Sequence, residues 1–391
     1  MRDDWFDVEG LLGEEERALR DRVRTWCEDE VLGVIGDIWE AGEFPVDLFR
    51  GMADLGIVGG TIEGHGCPGL SPLAAGVVSA ELARCDGSLV TFYGVQSSLA
   101  MRSIAYLGST EQRDRWLPAM ARLERLGCFA LTEPDHGSDI VSMATTARRD
   151  GDHWVLDGAK RWIGNGTVAD VAVVWAREDD GEVGGFVVDV DRAERGPDGG
   201  VAGWSAERIT GKVGNRAVWQ GHITLDGVRI PAEDRLVDAR TFADTSRVLT
   251  ASRAGVAWEA LGHAEAAYDL AAAYATDREQ FGEPIGSFQL VQNRLAGMLA
   301  ELTSLRLLCV RLAQLDEVDL PTAALAKMQA ARVARSLLAD ARSLLGGNGI
   351  LLDHHVVRHH ADIEAVFTYE GTDDVQSLIV GRGITGISAF T

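Results

Sequence analysis

From Val291 to Cys309 the apolar residues Val291, Leu295, Met298, Leu302, Leu305 and Cys309 step by four and three. That spacing makes one continuous face on a helix about five turns long, and a stripe of such length has to be buried against other helices. It commits this end of the chain to a helical bundle. Ser252 to Thr276, Phe288 to Leu312, Thr322 to Leu345 and Gly371 to Ile384 are the expected helices, the count for a four-helix bundle.

Upstream the pattern changes to short strands. Trp154-Val155-Leu156 and Arg161-Trp162-Ile163 flank Asp157-Gly158, and His222 to Leu225 and Val228 to Ile230 flank Asp226-Gly227, so each Asp-Gly predicts a hairpin turn. Val171 to Trp175 and Phe186 to Val190 add two strands. With no helix between them, these runs predict a small antiparallel sandwich or barrel. Before Gly127 helical signals return: Leu19, Val23, Trp26 and Cys27 share a face, Pro45 opens a helix that Gly56 closes, Ser71-Pro72 caps another, and Ser109 with Gln112 forms a capping box. The expectation is therefore mainly α with one β domain: a helical unit over 1–127, a β unit over 128–236 and a bundle over 237–391. A chain of 391 residues exceeds the roughly 250–300 at which a single core stops growing.

The formal net charge of −23 excludes a surface built for nucleic acid or anionic lipid, but not a few local cations around an anionic ligand. No window is long and apolar enough for a membrane span, and Met1 to Asp7 carries no export or transit pattern. The five cysteines are scattered without CxxC spacing, which predicts neither disulfides nor a thiolate metal site and suits a reducing cytoplasm. His355 and His359 have the i, i+4 spacing of a metal pair, but no carboxylate stands where a metal-dependent hydrolase would need one. They are read as structural, and no metal is expected.

No GxGxxG follows a strand; Gly164-Asn165-Gly166 and Gly346-Gly347-Asn348-Gly349 lack the third glycine and the βαβ setting, so a Rossmann site is not expected. The polar loop Leu131-Thr132-Glu133-Pro134-Asp135-His136-Gly137-Ser138-Asp139 offers hydroxyls and backbone N–H groups to a ring edge or an anion. Here the sequence resembles the acyl-CoA dehydrogenases. Thr132-Glu133-Pro134 with Gly137-Ser138-Asp139 matches their TEPxxGSD signature, and five more segments match in order: Lys160-Arg161-Trp162-Ile163 with Asn165-Gly166; Arg278 to Gly282; Phe288 to Gln292; Leu345 to Gly349; and Tyr369-Glu370-Gly371-Thr372. The glutaryl-CoA dehydrogenase branch looks closest, through Gly64 to Cys67, Val95 to Leu99 and Gly381 to Ile387.

The resemblance implies FAD, contacted by Leu131, Thr132, Ser138, Trp162, Ile163 and Gly164. Arg278, Gln289, Gly346 and Gly347 would reach the FAD of a neighbouring subunit, and Thr372 and Asp374 its diphosphate or adenosine side. Such sharing implies a homotetramer. Glu370 would remove the substrate α-proton, its backbone N–H would polarise the thioester, and an electron-transfer flavoprotein would follow as acceptor. Ser138, Val90, Thr91, Arg253 and Gly371 would bind the acyl-CoA or an acyl-carrier thioester.

Two positions depart from that pattern. Where glutaryl-CoA dehydrogenases place an arginine and a glutamate for the distal carboxylate, this chain has Val90 and Ala83. A glutarate carboxylate would be left without a cation, so a short neutral acyl group, with Val90, Thr91 and Phe92 lining its pocket and no decarboxylation, is expected. Gly164 replaces the hydroxyl residue that usually follows Trp-Ile, which keeps a flavin-dependent oxidase open as an alternative. A non-catalytic interaction protein on the same fold is the competing reading from another class.

Overall fold

The computed structural model describes residues 4–197 and 199–389; Met1, Arg2 and Asp3 of the N-terminal stretch lie outside the described residues. The N-terminal helices pack through Leu19, Val23 and Cys27, all buried. Their ends are fixed by the predicted caps. Ser71 Oγ accepts from the Ala74 N–H at 3.0 Å ahead of helix Pro72–Cys85, and Ser109 and Gln112 exchange bonds of 3.2 and 2.8 Å at helix Thr110–Ala121. Gly56, with φ of 64°, closes the segment after Pro45. Helix Gly87–Tyr93 continues into a π-helical stretch, Gly94–Met101, which carries Val95 toward the centre of the molecule.

The seven-stranded central sheet is mostly antiparallel, but strand Gly127–Ala130 runs parallel to Val171–Arg177. The two predicted hairpins are absent. His153–Gly164 and Gln220–Pro231 are each one 12-residue strand, paired antiparallel to each other. The register shifts between Leu156↔Val228 and Gly158↔Leu225, so the two Asp-Gly pairs face one another as a bulge. The Gly227 N–H donates to Asp157 Oδ1 at 2.7 Å across it. Gly158 is required there because a Cβ would lie 2.6 Å from Thr145 Oγ1 on a backbone with φ of 148°.

The C-terminal region contains five helices: Phe242–Asp277, Gln289–Ala313, Leu320–Leu344, Val356–Thr368 and Asp373–Thr385. Met298, Leu302, Leu305 and Cys309 are buried as the stripe predicts. Two features depart from expectation. The first helix starts ten residues earlier, at Phe242, where the Thr241 N–H donates to Asp244 Oδ2 at 3.0 Å. The helix Val356–Thr368 lies outside the four expected segments, because its buried face holds Arg358, His359 and Asp362 beside Val356, Ile363 and Val366. Those polar residues bind the three regions together. Arg358 pairs with Asp86 of the N-terminal helices, and Asp362 Oδ1 accepts from the Asn215 N–H at 2.6 Å and Trp39 Nε1 at 3.2 Å. His359 faces His263 at 2.9 Å, and His355 faces Arg358 at 3.0 Å. Among the described residues no helix is long and apolar enough to cross a membrane.

Candidate active site

Helix Val356–Thr368 ends just before Tyr369 and the last helix starts after Thr372, so Tyr369-Glu370-Gly371-Thr372 is the whole connection. Glu370 has φ of 55° and Gly371 of 93°. A left-handed backbone costs a non-glycine residue roughly 1–2 kcal/mol, so the surroundings have to hold it. They do so through its carbonyls. Arg253 Nε and Gln376 Nε2 donate to Glu370 O at 2.9 and 2.8 Å, and Lys327 Nζ donates to Phe367 O and Gly371 O at 3.2 and 2.9 Å. Thr372 caps the last helix by accepting from the Val375 N–H at 3.3 Å.

Among the described residues the Glu370 carboxylate itself takes one hydrogen bond, from Ser252 Oγ at 2.8 Å. Burial raises its pKa above the ordinary carboxylate range, and Arg253, Ser252 and Lys327 only partly oppose the rise. Such a group can accept a proton, since its charged form is under-stabilised. Lys327 is itself pulled down to about 8 by burial, with Glu370 opposing.

The loop 131–139 is anchored by a different carboxylate. Glu133 accepts from the Ala144 N–H at 2.6 Å, the Thr145 N–H at 2.9 Å and Lys160 Nζ at 2.9 Å. Burial alone would raise its pKa, but these donors bring it down to about 2. Lys160, fully buried and lowered to about 8 by burial, also donates to Leu131 O at 3.0 Å. The Arg161 N–H donates to Thr132 O at 2.8 Å. The loop is thereby fixed against strand His153–Gly164, Ile163 is buried, and Trp162, with φ of 64°, remains 54% exposed. An exposed indole on a held backbone, together with an exposed Ser138 in the loop, fits a planar aromatic group with polar edges.

The remaining predicted residues lie in different surroundings. Thr91 lies within hydrogen-bonding reach of the Tyr369 hydroxyl and accepts from Asn215 Nδ2 at 2.8 Å. Val90 and Phe92 belong instead to the apolar core of the N-terminal helices, Phe92 against Phe44 and Phe49, which corrects the expectation that Phe92 lines a pocket. Arg253 is not a solvated helix residue, since it is bound to the Glu370 carbonyl. Gly164 is set by packing: a Cβ there would lie 2.7 Å from Val95 Cγ2. Arg278, Gln289, Gly346, Gly347 and Asp374 are exposed.

Ser252, Glu259, Lys327 and Gln376 were not anticipated. Lys327 had a readable signal, for it shares a helix face with Ala323, Ala330 and Ala334, all buried. Glu259 stands seven residues after Ser252 on the same face and accepts from the Tyr369 hydroxyl.

Three family models match the chain in order: acyl-CoA dehydrogenase N-terminal domain over 13–124, middle domain over 128–228 and C-terminal domain over 242–385. A mitochondrial short-chain specific acyl-CoA dehydrogenase of Bos taurus is 33% identical over 378 residues, covering 94% of this chain and 90% of that protein. A solved glutaryl-CoA dehydrogenase from Mycobacterium smegmatis superposes with a TM-score of 0.95 at 41% identity, covering 100% of this chain and 99% of the other. Another, also a glutaryl-CoA dehydrogenase from that organism and in complex with FADH2, gives 0.94 at 36% identity, covering 99% and 98%.

Proposed function

We infer the reaction from one premise: the chain belongs to the acyl-CoA dehydrogenase family, FAD-dependent oxidoreductases that act on CH–CH bonds. The reaction proposed is α,β-dehydrogenation of a short, neutral acyl thioester, acyl-CoA to trans-2-enoyl-CoA. The observation that carries it is the Glu370 carboxylate, held by Ser252, half-buried and raised in pKa. Glu370 removes the α-proton, and its backbone N–H polarises the thioester oxygen while negative charge develops there. FAD, when bound, accepts the β-hydride.

Leu131, Thr132, Trp162, Ile163 and Gly164 are assigned to the flavin, Thr372 and Asp374 to the diphosphate or adenosine side. Ser138 and Arg253 are assigned to the pantetheine and nucleotide parts of the thioester, with Ser138 also at the flavin. Thr91, backed by Val90, is assigned to the acyl group and Gly371 to the turn that aims the base. Val90 and Ala83 are both buried and apolar, so neither position offers a cation to a distal carboxylate.

A homotetramer, with Arg278, Gln289, Gly346 and Gly347 completing a neighbour's cofactor site, is proposed on the exposure of these residues together with Phe281 at 95% and Leu290 at 84%. The domain division at 127/128 and 236/237 belongs to the same proposal. So do a cytoplasmic location, suited to five free cysteines, and an electron-transfer flavoprotein as acceptor.

Anaerobic titration of the flavin-loaded protein with short acyl-CoAs should bleach the oxidised flavin band. Glu370→Gln should slow that bleaching by about 10²–10⁴-fold while flavin is retained. Bleaching by glutaryl-CoA alone would refute the substrate class. Fast reoxidation by air would favour an oxidase, and response only to carrier-bound acyl groups would favour a carrier-protein substrate.

A further inference from the structure

Glu259 is an uncommon kind of residue for the middle of a bundle. It is 6% exposed, and among the described residues its carboxylate takes one hydrogen bond, from the Tyr369 hydroxyl, with the Lys327 charge acting on it from beyond ion-pair distance. Burying an acid with so little compensation detracts from stability, so a purely structural role explains it poorly.

Its position is more informative than its burial. Ser252, which holds the Glu370 carboxylate, and Glu259 lie on one face of helix Phe242–Asp277, about 10 Å apart along the axis. Val256 stands between them on that face and is 7% exposed. Tyr369 precedes Glu370 in the chain, and Thr91 lies within reach of its hydroxyl. Thr91, Val95 and Tyr369 keep partial exposure while Val90, Phe92 and Glu259 around them are buried. On this face Val256 thus separates the Glu370 end from a cluster of three polar groups, Glu259, Tyr369 and Thr91.

We propose that Glu259 reads the far end of the acyl group, and that the substrate carries a neutral hydrogen-bonding group there, a hydroxyl in the simplest case. The proposal rests on the dehydrogenase reading of Glu370. A hydroxyl suits this end of the pocket because it both donates and accepts, and so pairs with Glu259 as carboxylate or as acid. Burial raises Glu259 to about 8, which makes the acid form relevant at neutral pH.

The test is kcat/KM for butyryl-, 4-hydroxybutyryl-, valeryl- and 5-hydroxyvaleryl-CoA with the flavin-loaded wild type, Glu259→Leu and Glu259→Gln. The wild type should prefer one hydroxyacyl thioester over its plain counterpart by about tenfold, the scale of one buried hydrogen bond. Glu259→Leu should abolish or reverse that preference. Glu259→Gln, which keeps both a donor and an acceptor and is the milder change for folding, should retain most of it. A wild type that prefers the plain thioesters overturns the proposal, as does an equal loss on all four with Glu259→Leu, which would make Glu259 a support for Tyr369 only. If no thioester bleaches the wild-type flavin, the dehydrogenase reading fails, and this inference with it; activity on plain thioesters without the hydroxyl preference fails this inference alone.

Discussion

Glu133, buried in the loop against the central sheet, and Glu370, half-buried in the connection before the last helix, have opposite environments. Glu133 receives two backbone N–H groups and the Lys160 ammonium, and its pKa falls to about 2. Glu370 receives one hydroxyl, and its pKa rises. Around Glu370 the cations are spent on the backbone instead: Arg253 and Lys327 bind carbonyls of the loop, fixing its shape while leaving the carboxylate under-stabilised. A fully compensated carboxylate is a fastener, and a poorly compensated one can move protons.

Removing the cation at each site tests this contrast most severely. Lys160→Met leaves Glu133 buried with backbone donors only, and should destabilise the fold by about 3–5 kcal/mol, read from the unfolding midpoint, without moving the acid limb of kcat/KM. Its pH signature follows from the depressed pKa of Glu133. That carboxylate contributes stability above its unfolded value near 4.5, and the contribution is lost as pH falls toward 2. The variant should lose part of this acid dependence.

Arg253→Met should act on function. Without the guanidinium charge Glu370 binds its proton more tightly, and the reaction needs the carboxylate. The acid limb of kcat/KM should therefore move to higher pH, with turnover at neutral pH about tenfold lower. Ser252→Ala removes only the hydroxyl, which also lowers the Glu370 pKa. It should shift the limb in the same direction by less and cost about threefold. A shift of either limb to lower pH would break the contrast between the two glutamates.

The same contrast explains what the sequence discloses. The stripe through Met298, Leu302, Leu305 and Cys309 is legible because burial there is purely apolar. Helix Val356–Thr368 is obscured because Arg358, His359 and Asp362 occupy its buried face, where pattern reading expects aliphatics. Asp157-Gly158 and Asp226-Gly227 carry the signature of a hairpin, and only the pairing of two long strands turns them into a bulge. Glu370 is legible through its motif, whereas Ser252 and Glu259 look ordinary until the helix that carries them is set against Tyr369 and Glu370.

Val95 and Gly164 have a consequence for how such a chain can diversify. Any side chain at 164 puts a Cβ 2.7 Å from Val95 Cγ2, so the two positions are coupled. A change at 164 asks the Val95 side chain to turn or shift, and the cost is felt at a junction between the N-terminal helices and the sheet. The effects of substitutions at the two positions should therefore not add, although they stand nearly seventy residues apart in the chain.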